Sequence, residues 1–213
     1  MRSSSLLVRS KFLRNCRYAL WCSGRFLAGL PFSIGMFLDA AAPNMFPSQK
    51  RNGMRILDPI ETSRIVFADA MNSALDLIEQ NDKMRFARVT QEIHLLLNMP
   101  LFTYAQYSRP FKVCTIDLRG FPIAQDKEMA VVFLASVIIH EATHGVLHRR
   151  RILHSGRNFD RVEKLCLNEE RRFGKRLGLD LGPWISQREN PRRPFLRERL
   201  AHALEEIKNL WSS

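Results

Sequence analysis

The chain has 213 residues, of which 46% are hydrophobic and 25% are charged. That length supports one domain with a hydrophobic core, or one modest domain plus an N-terminal extension. The composition excludes a wholly disordered chain, a collagen-like chain and a polytopic membrane protein. The 33 Lys and Arg residues outnumber the 21 Asp and Glu residues, for a net charge of +12, which raises the expectation of a polyanionic partner such as nucleic acid or an anionic lipid surface.

Residues 1–53 differ in composition from the rest of the chain and are predicted to form a basic and apolar N-terminal extension. The first 17 residues are Ser-rich and basic, and the range 18–38 is apolar apart from Arg25, with a small-residue stretch ending at residue 42. The range 18–42 fits a membrane helix, the core of a signal peptide, or a buried helix pair. These interpretations stay open, so membrane association or export and a cytoplasmic location are equally supported, and an anionic membrane surface is one expected partner.

Residues 54–213 are predicted to form one mostly helical α+β domain. Apolar residues recur every three or four positions from Ile60 to Met99, with a break at Asn81–Asp82, which predicts two helices that end before Pro100. Residues 111–117 alternate between apolar and polar side chains, which predicts a β-strand.

The C-terminal half of this domain is predicted to be helical. Helices are expected over 127–147, 160–177 and 195–211. Apolar residues cover nearly the whole circumference of the helix over 127–147. We therefore expect that helix to run through the core.

The helix over 127–147 contains His-Glu-Ala-Thr-His at residues 140–144. Residues four apart lie on one helix face about one turn apart, so the imidazoles of His140 and His144 can bind a single tetrahedral Zn²⁺. Glu141 follows the first histidine and can accept a proton from a metal-bound water. The pattern therefore predicts His140 and His144 as metal ligands and Glu141 as the catalytic base.

Chance explains this pattern poorly. With 6 His and, counted along the printed sequence, 12 Glu, random placement gives about 0.01 matches to H-E-x-x-H in a chain of this length. The competing interpretation is a pair of core histidines satisfied by ordinary hydrogen bonds. Two imidazoles and a carboxylate in the most apolar helix would be costly to bury without such partners.

A catalytic zinc site also needs a third protein ligand and a position open to water. The next predicted helix carries Glu163, Glu169 and Glu170. On a helical wheel Glu163 and Glu170 fall together beside the apolar face, and Glu169 lies on the other flank of that face. A carboxylate at a core-facing position needs a cation or a metal, and an ion pair with a nearby Arg is the alternative for each. The residues alone leave the choice open.

The motif followed by 18 residues and then Glu163 resembles the gluzincin metallopeptidases, in which a glutamate on a second helix is the third zinc ligand. The small size is similar to minigluzincin and ImmA/IrrE-like domains, and the resemblance covers about residues 110–178. It implies a zincin-like core with a small β-sheet packed on the H-E-x-x-H helix, a Zn²⁺ cofactor and a peptide or protein substrate.

By position, the resemblance makes Glu163 the third metal ligand, with Glu170 and Glu169 as alternatives. Glu169 stays among them because Asn168–Glu169 matches the N-E pair of larger gluzincins, although Phe173 stands where their Asp would be. The expected function is that of a zinc-dependent metallopeptidase, in which a metal-activated water attacks a peptide bond. The alternative is a non-catalytic metal-binding or membrane-associated protein with a structural or regulatory zincin-like site.

Three further expectations concern partners and cysteines. The strand over 111–117 is expected to accept an extended peptide by edge pairing. Nucleic acid is disfavoured as a partner because the basic residues are not interleaved with aromatic ones and no helix-turn-helix, RRM or zinc-finger pattern occurs. The four cysteines form no C-x-x-C pair, so reduced, buried thiols are expected.

Overall fold

The computed structural model describes residues 46, 48–59, 67–99, 101, 104–118, 121, 127–152 and 158–189. The predicted extension over 18–42 and the predicted helix over 195–211 lie outside these residues. Within them the chain is α+β, as predicted, with five helices and a five-stranded mixed sheet.

The sheet contains β1 (Gln49–Arg51), β2 (Met54–Leu57), β3 (Leu95–Asn98), β4 (Ala105–Ser108) and β5 (Val113–Ile116). Its order is β1-β2-β3-β5-β4. The strands β2, β3 and β5 are parallel, whereas β1 and β4 are antiparallel to their neighbours. The β1–β2 connection uses Asn52 and Gly53, both at positive φ, as a tight hairpin turn requires.

The helices are α1 (Phe67–Asn81), α2 (Lys83–Glu92), α3 (Lys127–Arg149), α4 (Phe159–Arg176) and α5 (Gly182–Glu189). Helix α3 lies at the centre, since α1, α2, α4 and the strands β4 and β5 all pack against it. An aromatic cluster holds its N-terminal half: the ring of Phe133 lies 5.8 Å from that of Tyr104, 5.2 Å from that of Phe121 and 5.8 Å from that of Trp184.

The core position of α3 agrees with the prediction from its apolar circumference. Among the described residues, α3 is the one helix long and apolar enough to cross a membrane by length and composition, and 89% of that apolar window is buried inside the protein. A central helix covered on all sides needs such a composition. The apolar character of α3 is therefore accounted for by the helices and strands around it.

Two sequence predictions about the sheet are wrong. Leu95, Leu96 and Leu97, predicted to end a helix, form β3 and are buried on both faces. The strand predicted over 111–117 is observed as β5, but it lies between β3 and β4 rather than at an edge. Its backbone is already paired on both sides, so edge pairing of a peptide with this strand is excluded.

Candidate metal centre

Helix α3 places the two motif histidines side by side in the interior. His140 is 5% exposed and His144 is 8% exposed, and the centroids of their rings are 4.8 Å apart. Because the residues are four apart, both rings project from the same face of α3. Their Nε2 atoms lie 3.1 Å from each other.

Helix α4 brings the carboxylate of Glu163 to the same point. One oxygen of Glu163 lies 3.4 Å from Nε2 of His140, and the other lies 3.4 Å from Nε2 of His144. In a tetrahedral zinc site with Zn–N and Zn–O bonds of about 2.0–2.1 Å, ligand atoms are about 3.3 Å apart. Each Nε2 atom therefore has one oxygen of Glu163 at about the spacing of two zinc ligands.

Glu170 lies on the other side of His140. Its side chain is fully buried, and Oε1 accepts a hydrogen bond of 2.5 Å from Nδ1 of His140. A carboxylate can only accept, so the Nδ1 atom carries the proton. In the neutral imidazole this arrangement leaves the lone pair on Nε2, the nitrogen that faces His144 and Glu163. Ser136 Oγ lies 3.4 Å from the second oxygen of Glu170 and donates its proton to the carbonyl of Phe133 at 2.8 Å.

The charge around His140 favours its protonated form when no metal is bound. Burial alone would lower the pKa of His140, but hydrogen bonds with Glu163 and Glu170 and the negative charge of Glu141 outweigh burial and raise that pKa to about 9. The carboxylates that hold this proton would also attract a metal cation to the same Nε2 atom. A metal and a proton would thus compete for Nε2, and metal binding would release the proton.

Cys166 of α4 also contacts His144. Its sulfur is buried and lies 3.6 Å from Nδ1 of His144. His140, His144 and Cys166 also form a group in which one donor atom from each residue lies within 4.8 Å of the others. We favour Glu163 over Cys166 as the third donor, because Glu163 faces both Nε2 atoms whereas the sulfur lies against a different nitrogen.

Glu169, the remaining candidate ligand, is not brought to the histidines. One of its oxygens lies 2.9 Å from Arg85 Nη2 of α2, and the other lies 2.7 Å from Arg172 Nη1. A second ion pair joins Arg176 Nη1 to the carboxylate of Asp82 at 2.9 Å. Glu169 is therefore paired with arginines rather than with the histidines. The Glu169–Arg85 and Arg176–Asp82 ion pairs join α4 to the start of α2.

Glu141, the predicted base, is 6% exposed. Burial and, after it, the negative charge of Glu141 raise the pKa of the Cys114 thiol of β5 well above its ordinary value. That coupling puts the carboxylate of Glu141 near β5. Burial within α3 and coupling to both His140 and Cys114 make Glu141 part of the same polar cluster.

Gly145, the residue after His144, lets β4 and the end of α2 approach α3 closely. A Cβ atom added at Gly145 would lie 2.9 Å from Tyr107 Oη and 2.9 Å from Glu92 Cβ. Tyr107 Oη donates a hydrogen bond of 2.9 Å to the carbonyl of Glu92, and Glu92 Oε1 lies 2.9 Å from Arg149 Nη2. The absent side chain thus fixes the distance between His144 and the edge strand β4.

Comparisons of the chain with protein-family models, with curated proteins and with solved structures found no match. The case for a function therefore rests on the geometry of the residues themselves.

The sequence predictions did not assign Ser136 and Cys166 to the site. Both have a signal in the helical spacing. Ser136 precedes His140 by one turn on α3. Cys166 follows Glu163 by three residues and precedes Glu170 by four, so the three share one face of α4. A search for polar residues at these spacings from the predicted ligands would find both.

Proposed function

We propose that this chain is a zinc-dependent hydrolase of the metallopeptidase type. The observation that carries the proposal is the mutual spacing of 3.1–3.4 Å among Nε2 of His140, Nε2 of His144 and the carboxylate oxygens of Glu163. His140, His144 and Glu163 are the proposed zinc ligands. A zincin-like core around α3 and α4 is part of this proposal.

Each residue of the site has a role in the proposed chemistry. A bound zinc would acidify a coordinated water and polarise a carbonyl group. Glu141 would serve as the general base for the attacking water and as the proton donor to the leaving amine. Glu170 holds Nδ1–H of His140 and so keeps Nε2 directed towards the metal. The Glu163 side chain is 29% exposed, so water and substrate would enter the site from the side of Glu163.

The edge strand β4 supports a peptide as the substrate. Within the described residues β4 pairs only with β5, and its Tyr107 lies against Gly145, one residue after His144. An extended peptide that pairs with the outer edge of β4 would run past the two histidines. This strand replaces β5 as the proposed docking edge.

A non-catalytic metal site is the second candidate, and one observation favours it. The sulfur of Cys166 lies within 4.8 Å of a donor atom of each histidine. A modest movement of this side chain would give zinc a fourth protein ligand, and a site closed by four protein ligands is structural rather than catalytic.

The test measures metal content and hydrolysis separately. We expect the metal-stripped and zinc-reconstituted full chain to hold one zinc per chain and to cleave a quenched peptide library. Glu141→Gln should keep the zinc and lose cleavage, because Gln cannot accept the proton. Glu163→Gln should weaken zinc binding, because it removes a charged ligand.

Glu169→Gln is the matched control, since Glu169 lies on the same helix and was a rival ligand. It should keep both zinc and cleavage. Full zinc occupancy in a His140→Ala/His144→Ala double variant would refute the metal site. Stoichiometric zinc with no cleavage by the wild type, together with cobalt spectra that show a thiolate ligand, would favour the second candidate.

A further inference from the structure

One face of α4 serves both histidines of the candidate metal centre. Glu163, Cys166 and Glu170 follow one another at spacings of three and four residues, so their side chains project from one stripe of the helix. Glu163 faces the two Nε2 atoms, Glu170 faces Nδ1 of His140, and Cys166 faces Nδ1 of His144. Each imidazole therefore has its own α4 residue at Nδ1.

We propose that Cys166 is the positioning residue of His144. This rests on the proposed function, because a positioning role presupposes that His144 binds a metal. For Nε2 of a neutral imidazole to bind a metal, Nδ1 must carry the proton. The Cys166 sulfur lies 3.6 Å from Nδ1 of His144. The sulfur therefore accepts Nδ1–H and keeps the Nε2 lone pair directed towards Nε2 of His140 and Glu163.

The two Nδ1 contacts differ in strength, which makes the site asymmetric. The carboxylate of Glu170 lies 2.5 Å from its nitrogen, whereas the sulfur lies 3.6 Å from its nitrogen. A carboxylate is a strong, charged acceptor, and thiol sulfur is a weak one. His140 is thus the firmly oriented ligand and His144 the loosely oriented one, so removing the sulfur acceptor at Cys166 weakens zinc binding less than removing the carboxylate acceptor at Glu170.

Packing is the alternative explanation for a cysteine at this position. Cys166 packs with Val162 and Leu147 in a small apolar cluster, so its side chain also fills space. The two roles make opposite predictions for substitutions. If the thiol only packs, Val is the better replacement because it is apolar and similar in volume. If the thiol accepts Nδ1–H, Ser is the better replacement because its oxygen can still accept a hydrogen bond.

The experiment compares Cys166→Val with Cys166→Ser in the full chain. Zinc affinity is measured by competition with a chromophoric chelator, and the visible spectrum of bound Co²⁺ reports the ligand geometry. We expect Cys166→Val to lower the zinc affinity roughly tenfold, near the lower bound for outer-shell partners of metal ligands. Cys166→Ser should recover most of that loss. Equal zinc affinities for Val and wild type, with Ser weaker, would overturn the proposal.

Cys114→Val and Cys114→Ser are the matched controls. Cys114 is also a buried, free thiol, but it lies in β5 within the main apolar core. Both control variants should bind zinc as the wild type does. A tenfold loss of zinc affinity in the Cys114 variants as well would show a general effect of core substitution and would contradict a specific role for Cys166.

A metal-free measurement separates this proposal from the proposed function. Long-range ¹⁵N–¹H NMR of the imidazoles detects the hydrogen-bonded proton at Nδ1 of His144 without any metal. We expect that signal in the wild type and in Cys166→Ser, and its loss in Cys166→Val. A wild type that binds no zinc would refute the metal site, while an unchanged Nδ1 proton in Cys166→Val would refute the contact itself.

Discussion

Glu170 offers the sharpest quantitative test of the metal centre, because it supports a ligand without facing the proposed metal position. Its carboxylate is completely buried and accepts the Nδ1 proton of His140 at 2.5 Å. Glu170→Gln preserves the shape of the side chain and removes the charge. The amide oxygen can still face Nδ1–H, so a neutral hydrogen bond replaces a charge-assisted one.

The size of the effect follows from that exchange. A hydrogen bond to a charged group contributes about 1.5–3 kcal/mol, and a neutral one contributes about 1 kcal/mol. The difference of about 1 kcal/mol corresponds to a loss of roughly fivefold to tenfold in zinc affinity for Glu170→Gln. Glu170→Ala leaves Nδ1–H without its acceptor, and we expect a loss of roughly 100-fold, at the upper bound known for such partners.

The assay is a competition titration of zinc against a chelator of known affinity, with circular dichroism to confirm that each variant is folded. Glu169→Gln is the control, because Glu169 is adjacent in sequence but pairs with Arg85 and Arg172. We expect less than about a threefold change for this control, because Glu169 pairs with arginines rather than with the histidines. Unchanged zinc affinity in Glu170→Ala would refute the orienting role of this carboxylate.

Three further predictions concern stability and packing. Burial alone would raise the pKa of Asp82, but hydrogen bonds from Arg85 and the charges of Arg85 and Arg176 hold that pKa below its ordinary value. Its charge therefore stabilises the fold above about pH 4 and stops doing so as the pH falls through the lowered pKa. Asp82→Asn keeps an N-cap, and urea titrations should show that it loses less stability than the wild type between about pH 5 and pH 3. Parallel curves of stability against pH for the two proteins would contradict this. Gly145→Ala should destabilise the fold by about 1–2 kcal/mol, because overpacking costs about 1–3 kcal/mol and the better helix propensity of Ala returns at most about 1 kcal/mol. A melting temperature of the variant above that of the wild type would show that Tyr107 and Glu92 move aside freely. Phe173→Ala should cost about 3–5 kcal/mol, because this ring is fully buried in the main core, and a loss below 1 kcal/mol in urea titrations would contradict the packing of α4 on α3.

Helix α3 shows which part of the structure could be predicted from sequence. Its apolar circumference and the spacing of His140 and His144 are local properties, and a 3.6-residue period converts them directly into a buried helix with two adjacent imidazoles. The observed helix, Lys127–Arg149, extends only two residues beyond the predicted range. The placement of Glu163 near both histidines also agrees with the wheel position that put it beside the apolar face.

The errors arose where distant residues decide the outcome. Leu95–Asn98 is a short apolar run, and such a run fits a buried helix end as well as a strand covered on both faces. Only pairing with β2 and β5 makes it a strand. Glu169 is an alternative ligand because Asn168–Glu169 matches the N-E pair of larger gluzincins, yet its partner Arg85 is 84 residues away in the chain. The position of β4 at the sheet edge likewise depends on strand order, which no local pattern encodes.

The composition of α3 also has a consequence during synthesis on the ribosome. This helix is complete 27 residues before the end of α4, as the difference between Arg149 and Arg176 shows. At about 5–20 residues per second, α3 exists for roughly 1–5 s before all of α4 can cover it. During that interval the nascent chain displays a segment that insertion machinery and chaperones recognise by its hydropathy. Efficient production of the protein should therefore depend on how soon α4 follows α3 out of the ribosome, and slower elongation over that interval should lower the yield of folded protein.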